Sequence, residues 1–93
     1  MSEKAGENMI FIGKKPSLAY VLAAVTQFNG GQAEIKIRAR GRAIQKAVDV
    51  AEIIKNRFVQ TATVRGITIG TEQLESESRG KVNVSTIEIA LAK

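Results

Sequence analysis

The sequence predicts an α+β two-layer sandwich of order βαβαββ, a mixed sheet with two helices on one face. Three observations lead there. Two stretches repeat apolar residues at three- and four-residue steps, the period of a half-buried helix. Four other stretches are short apolar runs or alternate apolar and polar residues, the period of strands. Strand–helix–strand steps call for right-handed crossovers and parallel pairs, while the last two strands are close enough to form an antiparallel hairpin. With 93 residues the chain fits one domain with a modest core.

The elements follow in order. Residues 1–8 are polar, with Glu3 and Glu7, and read as a flexible arm rather than a signal peptide; residues 9–93 form the single domain. Met9–Ile12 is an apolar run ended by Gly13, suited to a buried strand. Pro16 fixes the φ of a first helical turn, and Leu18, Val21, Leu22, Val25 and Phe28 form the apolar stripe of that helix. Gly30 and Gly31 stop it. In Ala33 to Arg40, Ile35, Ile37 and Ala39 face one way while Glu34, Lys36, Arg38 and Arg40 face the other, giving a strand with one wet face. After Gly41 a second helix spans about Ala43 to Phe58, with Ile44, Ala47, Val48, Ala51, Ile54 and Phe58 on one stripe. Thr61 to about Leu74 reads as a long strand in which Gly66 marks a bulge or a close backbone approach. Glu75 to Lys81 is the turn, and Val82 to Ala92 the last strand, with Ile87, Ile89 and Leu91 on one face.

Composition removes several function classes. Cysteine and histidine are absent, which excludes disulfides, thiol chemistry, ordinary zinc sites and the commonest general acid–base group. No cofactor or metal is expected, and no enzyme, for want of an assembled acid, base and nucleophile. No apolar run approaches the roughly 20 residues of a membrane-spanning helix. The aromatics Phe11, Tyr20, Phe28 and Phe58 are too few and scattered for a base-stacking platform.

Charge points to a polyanion. Between residues 14 and 57 nine bases (Lys14, Lys15, Lys36, Arg38, Arg40, Arg42, Lys46, Lys55, Arg57) face three acids (Glu34, Asp49, Glu52), a balance of +6 against +5 for the whole chain. Lys14 and Lys15 precede a helix start, where cations are disfavoured and anions welcome; either the site awaits an anion or the lysines are a solvated loop. No phosphate-loop pattern is present. Arg38, Arg40 and Arg42 end a strand and open the second helix, and their guanidinium forks suit phosphate; the alternative is a solvated strand face. Lys46, one turn beyond Arg42, extends the patch. Arg79 and Lys81 fall at the hairpin tip, within reach of a groove, although Glu72, Glu75 and Glu77 lie nearby. Asp49 and Glu52 are one turn apart and read as helix-surface ion pairs with their basic neighbours rather than as a magnesium site. An exposed Phe58 at a helix end suggests an oligomer contact.

Taken together, Ile12–Pro16 (IGKKP), Tyr20–Ala23, Arg40–Ile44, Lys46–Asp49, Asn56–Phe58 and Val84–Ile89 resemble the Alba family of archaeal chromatin proteins, over nearly the whole chain and in the family's order. The resemblance implies a fold like the C-terminal domain of translation initiation factor three. It also implies a homodimer, with possible higher-order assembly on DNA, that binds double-stranded DNA and often RNA with little sequence preference. Within it Lys14 and Lys15 match the family's lysine pair, Arg40 and Arg42 its central arginines, and Tyr20 the aromatic beside them. Arg57 and Phe58 match the dimer–dimer contact, and Arg79 the hairpin residue that follows the minor groove. Lys14 matches an acetylated lysine, which brings in an acetylase and a deacetylase as partners. A cytoplasmic, nucleoid-associated location goes with the family.

The expectation is therefore a dimeric architectural protein that coats and compacts duplex DNA through phosphate contacts. A role in RNA maintenance or translation is the alternative, because phosphate-directed arginines serve both. A regulatory module that binds a metabolite between helix mouths is a rival from another class.

Overall fold

Alternation along the strands decides which sheet face is dry. The structure is a computed structural model that describes residues 8–93. Strand β1 is Met9–Phe11, helix α1 Ser17–Asn29, strand β2 Glu34–Arg40, helix α2 Ile44–Ile53, strand β3 Thr63–Ser76 and strand β4 Gly80–Ala92. In β2, Ile35, Ile37 and Ala39 are buried, and Ile89 and Leu91 of β4 join them. Val21, Ala24 and Phe28 of α1 and Ala47, Val50 and Ala51 of α2 lie in the same cluster, so both helices cover one face. The βαβαββ sandwich is as the sequence predicts.

The sheet order is β1-β2-β4-β3. β1 runs parallel to β2, with Phe11 opposite Arg38; β4 is antiparallel to β2 from Glu34↔Ala92 to Arg40↔Thr86. β3 pairs with β4 along its whole length, with a register shift between Val64 and Gly66. Gly66 therefore marks a bulge, and no atom approaches the space a side chain there would fill. Beyond Thr86 the hairpin loses its third strand. From Thr71↔Ser85 to Ser76↔Gly80 it is a two-stranded arm, about 17 Å long at about 3.4 Å per residue.

Helix α1 ends in a reciprocal cap. Gln32 N–H donates to Gln27 O at 3.1 Å and Gly31 N–H to Phe28 O at 3.2 Å. Gly31 takes φ 107°, which a side chain would resist. The expected second helix is three pieces. A 3₁₀ turn over Gly41–Ala43 leads into α2, and a π-helical turn over Ile54–Phe58 ends it with Val59 N–H on Ile54 O at 2.7 Å.

Several apolar residues expected inside are outside. Phe11 is exposed although its neighbours Ile10 and Ile12 are buried, because β1 is an edge strand with one covered face. Leu18 and Leu22 are about half exposed while Ala24 packs inside, since at helical spacing the two leucines lie to one side of the buried Val21, Ala24 and Phe28. Val48 is likewise exposed, and Val50 takes the core position on α2; Phe58 is exposed as its reading as an association contact requires. The last strand begins at Gly80 rather than Val82, which shortens the turn to residues 77–79. Residues 1–7 of the expected arm lie outside the described residues. Asn8 is tied to the sheet, its carbonyl accepting the Lys36 N–H at 2.7 Å.

Candidate nucleic-acid interface

Gly13–Pro16 links β1 to α1, and two residues from elsewhere fix its path. The Tyr20 hydroxyl accepts the Gly13 N–H at 2.8 Å and the Lys15 N–H at 3.0 Å. From α2, Lys46 Nζ donates to Lys15 O at 2.6 Å and to Gly13 O at 3.3 Å. The loop's amides and carbonyls are thus both held, while the Lys14 and Lys15 residues stay exposed. Pro16, at the N-cap of α1, provides no side-chain cap, and the first turn holds no acid. The helix start therefore keeps its positive end open to an anion.

Arg40, Gly41 and Arg42 bring the second basic segment alongside. Gly41 turns the chain out of β2 with φ 59°. A concavity of about 420 Å³ results, lined by Gly13, Lys14, Arg40, Arg42, Ala43 and Lys46. Four of the six lining residues are basic and none is acidic, so the field inside favours an anion.

The sequence-predicted basic residues and Tyr20 fall in four places, Lys46 in two of them. Lys14, Arg40, Arg42 and Lys46 meet at the concavity, with Lys15 on the same loop. Tyr20 and Lys46 act on the loop backbone as staples, a role that spacing could not show because the contact to Lys46 spans 31 residues. Arg38 lies apart on the open face of the sheet, where its Nε is 3.5 Å from Glu88 and Lys36 Nζ is 3.9 Å from the same carboxylate. Arg79 sits in the turn at the tip of the arm and Lys81 opposite Glu75 just below it. Glu72 is held by Arg40, Oε1 to Nη1 at 2.9 Å, so part of its charge is matched.

Arg57 and Phe58 are exposed together at the end of the π turn. Glu52 pairs with Lys55 at 3.5 Å and accepts from Asn56, while Asp49 forms no ion pair among the described residues. The expected pairing on α2 is therefore half observed.

The sequence profile of the Alba family matches residues 8–71. The chain belongs to the Alba family. DNA/RNA-binding protein Alba 1 of Archaeoglobus fulgidus is 58% identical over 87 residues, covering 94% of this chain and 97% of that protein. DNA/RNA-binding protein Alba of Methanocella arvoryzae is 54% identical over 87 residues, 94% of this chain and 91% of its own. The solved structure of Alba from Thermoplasma volcanium superposes with a TM-score of 0.89 at 53% identity, covering 92% of this chain and all of that one. These Alba relatives extend over the long hairpin, beyond the end of the family profile. The Archaeoglobus and Methanocella relatives are named as binding proteins, in keeping with a chain whose sequence holds neither cysteine nor histidine.

Proposed function

We propose that this chain is an architectural protein that binds duplex nucleic acid along its phosphate backbone, as a dimer, and coats it with little sequence preference. One observation carries the reading: the acid-free concavity where Lys14, Arg40 and Arg42 meet at an uncapped helix start. Guanidinium and ammonium groups in that setting neutralise phosphates and read no bases. The arm, with Arg79 at its tip, extends the contact along a groove. The relatives' names, DNA/RNA-binding, support DNA and RNA alike as partners.

A second copy is the natural cover for the apolar surface. The helices pack over β1, β2 and β4 and leave β3 largely outside. Val64, Ile67 and Ile69 pair with Leu91, Ile89 and Ile87, and so face the helix side without helices above them. Two-fold association of such faces would give a dimer with two basic concavities. Exposed Phe58 and Arg57 would then join neighbouring dimers on the duplex. Lys14, solvent-facing at the concavity, is placed where acetylation by an acetylase would remove one phosphate contact and a deacetylase restore it. Binding of this kind implies association with the chromosome in the cytoplasm.

The test is a set of binding isotherms on unrelated DNA and RNA duplexes across a salt series. Log affinity should fall linearly with log salt, by about 0.9 unit per phosphate neutralised on B-DNA. A flat response would sink the reading. Tighter binding to matched RNA than to DNA would favour the role in RNA maintenance or translation.

A further inference from the structure

Strand β1 sets an aromatic ring on the sheet face that has no helices. Phe11 lies opposite Arg38 and is 65% exposed. Phe11, Arg38 and Arg40, with Glu72 of β3 and Thr86 of β4, line a cavity of about 340 Å³ whose remaining walls are Ile12 and Ala39. Beside it β3 carries glycines, Gly66 opposite Ala90 and Gly70 opposite Thr86, so the floor stays low. The volume is at the lower end of the roughly 300–1,000 Å³ usual for small-molecule sites. It suits one nucleoside and not a run of bases.

The lining chemistry narrows the ligand. A simple anion would have no use for Phe11 and would be repelled by Glu72. An apolar ligand would cover two guanidinium groups and a carboxylate and offer nothing to their remaining N–H donors and acceptor sites. A nucleobase uses all of them. Its face stacks on an aromatic ring or a guanidinium plane, and its edge carries donors and acceptors for a carboxylate and a hydroxyl. Arg40 Nη1 is bound to Glu72 Oε1 at 2.9 Å and Arg38 Nε is 3.5 Å from Glu88, so both guanidinium groups are anchored and keep further N–H donors.

Position supplies the rest. Arg40 lines both this cavity and the basic concavity with Lys14 and Arg42. A strand whose phosphates occupy the concavity would bring its next nucleotide to the open face. Within a duplex that base is stacked and paired; at an end, a bulge or an overhang it is free. We infer that the open-face cavity holds a single unpaired nucleobase at a duplex end or interruption, stacked on Phe11. The inference rests on the duplex-binding reading above and adds a site for the junction between paired and unpaired strands.

The experiment compares a blunt duplex with the same duplex carrying a short 3′ adenine extension, in DNA and in RNA, with 2-aminopurine at the first unpaired position. The wild-type protein should favour the extended duplex by roughly 5-fold or more, the size of one aromatic–base stack, and quench the fluorophore. Phe11→Ala and Phe11→Leu should lose both the preference and the quench, bind the blunt duplex like wild type and melt normally; Phe11→Trp should restore both. Adenosine monophosphate should erase the preference without displacing blunt duplex. Preference in one nucleic acid alone would assign the base to that source. Equal affinity for both ends, or a preference that survives in Phe11→Leu, would overturn the inference. If blunt duplexes fail to bind while a labelled single strand is still quenched through Phe11, the duplex reading falls and the cavity stands.

Discussion

Tyr20 and Lys46 both act on the backbone of the loop between β1 and α1. Between them they hold both amides and both carbonyls of Gly13 and Lys15. Tyr20→Phe removes one acceptor for two amide hydrogens, each bond contributing about 1 kcal/mol net. Faster hydrogen exchange at Gly13 and Lys15 is expected, together with weaker duplex binding at an unchanged salt slope. Lys14→Gln should do the reverse, lowering the slope by up to about 0.9 unit while leaving thermal stability alone. Measuring slope and exchange on both variants separates a loop positioner from a phosphate contact. The sequence showed the loop lysines and the central arginines because charge at a helix start is visible in one dimension. It did not show the staples, since a hydroxyl seven residues away and an ammonium on the next helix announce no partner. Phe11 stayed hidden for the same reason: alternation marks a strand, but only the sheet order reveals which of its faces has no cover.

Among the elements, the hairpin and the second helix depart furthest from their simplest patterns. Beyond Thr86 no third strand pairs with the arm, and besides its own ladder the Arg40–Glu72 ion pair ties its base to β2. Deleting Gln73–Leu74 together with their partners Val82–Asn83 would shorten it by two residue pairs and keep every remaining side chain on its face. Affinity should fall with the melting temperature nearly unchanged; a large loss of stability would show that the arm supports the fold. The second helix was expected to be continuous to Phe58, and its apolar spacing fits that length. The π turn swings the end outward, leaving Phe58 46% exposed. A single inserted residue of this kind is invisible to periodicity. Phe58→Ala should therefore change stability by about 0.5 kcal/mol or less, as surface substitutions do. It should lower cooperativity on long duplexes, with binding to a duplex that holds one dimer retained. Calorimetry beside the two isotherms checks it.

At the scale of the whole molecule, the fold separates three surfaces that share one sheet. The basic concavity lies at the start of α1, the apolar side of β3 lies on the helix side beyond the helices' cover, and the open face carries Phe11. Ile69 is 77% exposed on the second of these. Ile69→Glu should leave the isolated fold intact, because the residue touches little of the core. It should yield a monomer in light scattering and weaken duplex binding, as one concavity replaces two. A dimer that persists would place the two-fold contact elsewhere. The architecture was legible before the structure because each strand and helix of the core follows its own period. The division of the outer surface was not, for an apolar residue looks the same in the sequence whether it packs against its own chain or awaits another.

The position of β4 has a consequence for synthesis. It is last of the four strands to be made, yet it lies between β2 and β3. As the chain leaves the ribosome, β1, α1, β2 and α2 can gather, but β2 keeps a bare edge from Glu34 to Arg40 until residues up to Ala92 have emerged. β3 has no strand to pair with in that interval. A nascent chain of this protein thus carries the bare edge of β2 once residue 40 is made, joined by an unpaired β3 once residue 76 is made, until β4 follows, the condition under which strands of neighbouring chains find each other. The charges spaced along β2, Lys36, Arg38 and Arg40, discourage that encounter by mutual repulsion. Arg40, which lines the basic concavity of the finished protein, thus helps guard the unfinished one against its own kind.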